Sequence, residues 1–257
     1  MPQPGILTQR GGPQGELLYL ILSNPAALNT LTEAMQADLA RQLQAAGEDP
    51  TVRVLILRGE GTRCFSAGGS MDCLAEMADP AVREGMYQRG LAVRRALAGL
   101  DKPILAAVCG HCIGAAFETA LGCDLLYASE SARFSLPEVN LAITPSWGGT
   151  LLLPRKLTVH QAKELLFFGQ PIDAQEAWRL GIVNQVFPQE GFFQAVEDRA
   201  LRLAAKPAQA LRGIKHLLSQ TILDGPPEKA LAAEHQWEEA LMSSPAFFQA
   251  VEDFRKK

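Results

Sequence analysis

The stretch that most constrains this chain runs from Gly110 to Thr150, and an apolar run, PILAAV at 103–108, leads into it. That run lacks the apolar–polar alternation of a half-exposed strand and reads as a strand buried on both faces. The chain then turns through Gly110 and Gly114 into AAFETAL at 115–121, which predicts a helix N-terminus beside a strand end. Amide N–H groups in a first helical turn have no partner within the helix and carry the positive end of its dipole. Ala115 and Glu118 stand three positions apart, so an amide donor and a carboxylate fall on one side of the turn. A second glutamate, Glu138, follows in largely uncharged surroundings. Such a grouping can stabilise an oxyanion and move a proton. The plainer reading is a buried helix with one carboxylate held in a structural ion pair.

Around this centre strands and helices alternate. Residues 16–23 (ELLYLILS) read as a strand, with 6–10 as its partner across Gly11, Gly12 and Pro13. The loop 23–31 (SNPAALNTL) feeds a helix, for which Thr30 and Glu33 have capping-box spacing and Met35, Leu39 and Leu43 form an apolar core stripe. Residues 47–50 (GEDP) stop that helix, and 52–57 (VRVLIL) give the next strand. In 64–71 (CFSAGGSM), Gly68 and Gly69 expose backbone N–H groups with no side chain in the way. A mobile segment is expected around 78–80, then a helix to Leu100 carrying Val82, Met86, Gly90 or Leu91, Val93 and Leu97 near one face. Further on come a strand at 124–128, a tight loop at 145–149 and a helix from Val159. Asp173 caps a helix over 174–180, and a last strand lies in 181–187. From Gly191 to Phe254 the signals are helical, broken by Pro207, Pro226, Pro227 and Pro245. The order predicts an α/β protein: a mostly parallel sheet with crossovers in 1–190, then a helical C-terminal subdomain in 191–257.

At 257 residues, 47% of them hydrophobic, the chain can bury a sizeable core as one α/β unit. A net charge of −4, with no basic block beyond Arg255, Lys256 and Lys257, argues against a nucleic-acid partner. No apolar run is long enough for a membrane span, and the Pro/Gly/Gln-rich start has no signal-peptide pattern, so a cytoplasmic protein is expected. The cysteines are Cys64, Cys73, Cys109, Cys112 and Cys123. CGHC at 109–112 has the spacing of a dithiol redox pair, but it follows a wholly apolar strand and no aromatic precedes it, so compact buried thiols are the preferred reading. No second pair stands at metal-ligand spacing, so no metal is expected. His111, in the loop before the 115–121 helix, is read as a turn histidine satisfied by backbone rather than a catalytic one, and His160, His216 and His235 lie in helical contexts with no evident partner; all four are left out of the site.

With these residues laid out, nearly the whole chain resembles the crotonase superfamily, the enoyl-CoA hydratase and isomerase proteins. SNPAALNTL at 23–31 is similar to the family's N-R-P-x-x-x-N-A-L, and FSAGGSM at 65–71 to F-x-A-G-x-D followed by an apolar residue. The stretch 110–150 is similar to G-x-x-x-G-G-G-x-E-L-A-x-x-C-D followed by F-x-x-P-E-x-x-L-G-x-x-P-G-x-G-G-T. The resemblance implies a spiral of ββα units with a C-terminal helical part that assembles as trimers or dimers of trimers. It implies thioester enolate chemistry with the oxyanion held by the N–H groups of Gly69 and Ala115. Glu118 would be the base acting on water and Glu138 the acid side of the exchange. Ala26, Ala27, Leu28, Ala67, Gly69, Ser70, Met71, Asp72 and Ala115 would bind the acyl-CoA. Trp147 is read as a wall of the acyl pocket or, equally, as an aromatic packed on the glycine loop. Because family isomerases generally keep only the later glutamate, the pair implies hydration of a 2-enoyl thioester, with coenzyme A as part of the substrate and no metal or redox cofactor. Departures are Ser70 for Asp, Ala115 and Ala116 for glycines, Ser146 for Gly, and Ala26 where many members carry a basic residue. They leave room for a specialised acyl group, including one on an acyl carrier protein. The alternatives are an isomerase, hydrolase or decarboxylase of the same fold, or a non-catalytic binding member.

Overall fold

The computed structural model describes residues 3–70, 75–222 and 227–256. Strands β1 (Gly5–Gly11) and β2 (Leu17–Ser23) form an antiparallel hairpin in register Gly5 to Ser23 and Gly11 to Leu17. β2 then pairs in parallel with β3 (Val54–Gly59), and the sheet continues in parallel through β5 (Ile104–Val108), β7 (Leu125–Ser129) and β10 (Gln185–Phe187). Its order is β1-β2-β3-β5-β7-β10. β2 and β5 are buried at every residue, as their unbroken apolar runs require.

Alternate residues of these strands feed two cores. On one face Leu18, Leu20, Leu55, Leu57, Ile104 and Ala106 pack against α1 (Glu33–Glu48), α2 (Pro80–Gly99) and α3 (Ala115–Leu121) through Leu39, Val93, Leu97 and Phe117. On the other, Leu17, Tyr19, Ile21, Val54 and Ile56 are covered by α7 (Phe192–Ala204) through Phe192, Val196 and Ala200.

A second sheet, of order β4-β6-β8-β9, joins β4 (Cys64–Ser66), β6 (His111–Ile113), β8 (Arg133–Ser135) and β9 (Ile172–Asp173). β3 and β4, β5 and β6, β7 and β8 each send their first strand to the large sheet and their second to the small one, which makes the ββα spiral. The remaining helices are α4 (Gly149–Leu152), α5 (Val159–Phe168), α6 (Ala174–Arg179), α8 (Ala208–Ile222), α9 (Pro227–Met242) and α10 (Pro245–Arg255). Met242, Phe247 and Val251 of α9 and α10 gather with Met77 and Ile143 in a third cluster. No helix among the described residues is long and apolar enough to cross a membrane.

Three local expectations are corrected. α1 is capped by Thr32, whose hydroxyl accepts from Met35 N–H, and not by Thr30. Leu31 donates its N–H to Gly68 O at 2.8 Å, which holds the chain out of the helix through that residue. Asp79 and Pro80 form an ordered helix start: the Asp79 carboxylate caps Ala81 N–H at 2.8 Å and Pro80 opens the helix. Between Gly110 and Gly114 lies the strand β6, where a simple turn was expected.

Candidate active site

The first and second motif blocks are laced together. Asn29 is buried in the left-handed region at φ 53–55 with Leu28, and its amide donates to Glu60 O at 3.0 Å and Cys64 O at 2.8 Å while its carbonyl accepts from Asn24 N–H at 3.1 Å. Ala67 N–H bonds Leu28 O at 3.0 Å. Leu31 and Gly69 form an isolated parallel bridge in which Leu31 bonds to Gly68, so the Gly69 amide points away from Leu31. Space around the Gly69 α-carbon is open.

The second amide comes from the third block. Gly114 N–H bonds Ser135 O at 2.9 Å, and Gly114 adopts φ 55, ψ −128 as the N-cap of α3, so that Ala115 opens the helix. Gly68, at φ +85, brings the two turns together: a β-carbon there would lie 2.5 Å from Ile113 O and 3.4 Å from Ala115 N. Gly69 and Ala115 both line one cleft of about 550 Å³.

Glu118, 2% exposed, sits at the fourth position of α3. Its Oε1 accepts the N–H of Trp147 at 2.9 Å and of Gly149 at 2.7 Å. Two donors converge on one oxygen because Gly148 turns the loop at φ 109 and Gly149 carries no side chain; a β-carbon at 149 would lie 3.1 Å from Oε1. Glu138 enters from the 3-10 turn Pro137–Leu141, its Oε1 3.0 Å from where a Gly114 β-carbon would be. Gly114 therefore serves both the helix start and the approach of Glu138. The two carboxylates border the same cleft as the Gly69 and Ala115 amides.

Of the other expected residues, Ala27, Ala67, Ser70 and Trp147 line the cleft. Ala26 and Leu28 stand exposed in the turn beside it, and Met71 and Asp72 lie outside the described residues. Met86 of α2, Ile143 and Thr144, and Glu238, Met242 and Phe254 of α9 and α10 also line it. The sequence marks Met86 as part of a helix that walls a pocket or simply packs, and gives no sign of the others, because an apolar helical stripe says only that it is buried, not against what. The CGHC segment forms no disulfide in this structure. Cys109 and Cys112 are buried free thiols, and complete burial holds the Cys112 thiol well above its ordinary pKa, the reverse of a reactive cysteine.

An α/β spiral whose strands alternate between two sheets, with paired glutamates and two turn amides in one cleft, defines the crotonase fold class. The enoyl-CoA hydratase/isomerase family model matches residues 13–257, and the chain belongs to that family. Over 197 residues it is 35% identical to crotonyl-CoA hydratase of Syntrophomonas wolfei subsp. wolfei, covering 77% of this chain and 75% of that protein. It is also 35% identical over 208 residues to 2,3-dehydroadipyl-CoA hydratase of Escherichia coli K12, covering 81% and 80%. Among solved structures, an enoyl-CoA hydratase/isomerase from Mycobacterium paratuberculosis superposes with a TM-score of 0.88 at 27% identity, covering 98% of each chain.

Proposed function

We propose that the protein is an enoyl-CoA hydratase, adding water reversibly across the 2,3 double bond of a 2-enoyl thioester to give the 3-hydroxyacyl thioester. The observation that carries this reading is the convergence of Glu118, Glu138 and the Gly69 and Ala115 turns on one cleft. The family supports it, as do the hydratase names of the two relatives. The thioester carbonyl accepts from the N–H groups of Gly69 and Ala115, which stabilise the enolate oxygen as negative charge develops there. Glu118, oriented by Trp147 and Gly149, takes a proton from the water that attacks the third acyl carbon. Glu138 delivers a proton to the second carbon. Coenzyme A, or a carrier-protein arm, enters as part of the substrate past Ala27 and Ala67, and the chemistry asks for no metal or redox group.

Exposed Val139, Val159, Phe167, Phe168 and Trp178 support assembly into a trimer or dimer of trimers, to which the helical part after residue 190 also contributes. Sedimentation at equilibrium should show a trimer or hexamer mass; a monomer at micromolar concentration refutes this part.

The decisive experiment follows the enoyl-thioester absorbance with crotonyl-CoA. Wild type should consume it, and Glu118→Gln and Glu138→Gln should each lower kcat by about 10²–10⁴-fold, the usual worth of a positioned acid or base. A wild type that hydrates no 2-enoyl-CoA but shifts the double bond of a 3-enoyl-CoA would make it an isomerase. Full activity in both Gln variants would remove these residues from the chemistry.

A further inference from the structure

We propose that Gly90 and Trp147 act as a pair that sets the acyl-chain length this cleft accepts, limiting it to short chains; this rests on reading the cleft as an acyl-thioester site. Trp147 has two roles. Its main-chain N–H orients Glu118 at 2.9 Å, and the residue, 3% exposed, is among those that line the cleft with the glutamates. The indole lies flush on α2 at Gly90. A β-carbon at 90 would come within 2.5 Å of the indole Nε1, 2.6 Å of Cε2 and 2.7 Å of Cδ1.

Gly90 is inside a 20-residue helix and has no positive φ, so the backbone does not call for glycine there. Glycine at an interior helix position is unfavourable relative to alanine. The space occupied by the indole accounts for it. Arg94, one turn after Gly90, lies against the next loop residue, its Nε 3.0 Å from where a Gly148 β-carbon would be. Met86, one turn before Gly90, lines the cleft with Trp147, Ile143 and Met242. An acyl chain running past the glutamates therefore meets a rigid wall seated on a helix notch. A buried indole cannot swing away as a flexible side chain would.

The test measures Kd by calorimetry for non-reacting saturated CoA thioesters, from butyryl through hexanoyl and octanoyl to decanoyl. Wild-type affinity should stop rising, then fall, along this series. Trp147→Ala should let affinity climb by up to about fourfold per added methylene, the worth of burying each one. Gly90→Ala, a substitution that favours the helix itself, should push the indole into the cleft and depress hexanoyl binding more than butyryl binding. In the Trp147→Ala background the Gly90→Ala effect should vanish, because the two changes act on one contact. If Trp147→Ala does not fold, the Gly90→Ala profile decides alone, with Trp147→Phe as the milder relief. Wild-type affinity that climbs steadily to decanoyl, or a Gly90→Ala profile that matches wild type, overturns the pair. Failure of wild type to bind any of these thioesters overturns the acyl-CoA reading of the cleft itself.

Discussion

Oε1 of Glu118 accepts from the Trp147 and Gly149 N–H groups, so its orientation depends on a loop with no room to spare. A β-carbon at 149 would press on Pro145 Cβ at 3.0 Å as well as on Oε1 at 3.1 Å. Gly149→Ala should therefore leave the fold in place, by circular dichroism, but lower kcat on crotonyl-CoA by more than about tenfold, since small misplacements of a catalytic group are costly. Asn29 works the same way for the other half of the site. Asn29→Ala leaves Glu60 O and Cys64 O without their buried donor and puts a β-branch-free but non-glycine residue at φ 55. Unsatisfied buried carbonyls cost about 1–3 kcal/mol each, so urea denaturation should show a loss of about 2–4 kcal/mol. Glu118 and Glu138 were legible in the sequence because carboxylates are conspicuous in apolar surroundings. Asn29 was legible as a loop former and as a motif position but not as a buried donor, because nothing local tells that its amide reaches residues 31 and 35 positions away.

Long elements with one clear period could be read; short ones could not. β2 and β5 stood out as apolar runs, whereas β4, β6 and β8 have three residues each and β9 two, too few for any periodicity. The whole small sheet was therefore invisible, although it is what brings Gly68 against Ile113. The start of α2 shows a related failure: Asp79 and Pro80 look like breakers, yet here they cap. Arg83, one turn in, is buried and ties three pieces together, with Nε donating to Glu239 at 2.6 Å and Nη1 to Met77 O at 2.6 Å and Ala78 O at 3.2 Å. α2 is thereby joined to α9 and to the chain that leaves Gly69. Arg83→Ala should destabilise by about 2–4 kcal/mol in urea denaturation, because charged hydrogen bonds of this kind are worth about 1.5–3 kcal/mol each and are not additive. Arg83→Lys should recover less than half of that, since an ammonium group lacks the planar fork that reaches a carboxylate and two carbonyls.

At the scale of the whole molecule, the thiols record how tightly the two sheets and α3 close on each other. Cys112 in β6 and Cys123 after α3 are both buried; burial pushes the Cys123 thiol up to about 12 and the Cys112 thiol well above its ordinary value. The sequence pointed to compact thiols from their apolar neighbours, but only the packing of β6 between β4 and β8 explains why Cys112 resists ionisation. This has a consequence for stability. Both thiols are neutral in the folded and unfolded chain below about pH 8.5, the ordinary cysteine range. Above it the unfolded chain loses protons that the folded chain keeps, so stability is full at lower pH and falls as pH rises toward the folded pKa values. Each thiol contributes a slope of up to about 1.4 kcal/mol per pH unit in this window. Lys156, whose own pKa is lowered by burial beside Cys123, acts with the opposite sign over part of the same range, so raw alkaline stability mixes the two. The lysine interacts with Cys123 but is not among the charges that shift Cys112, so a Cys112→Ala variant keeps the lysine's contribution in both proteins. Going from pH 8 to pH 10 in urea denaturation, wild type should lose about 1–2 kcal/mol more than the variant. Equal losses in the two proteins would mean that this thiol ionises freely in the folded chain, and that the seam between the sheets admits water.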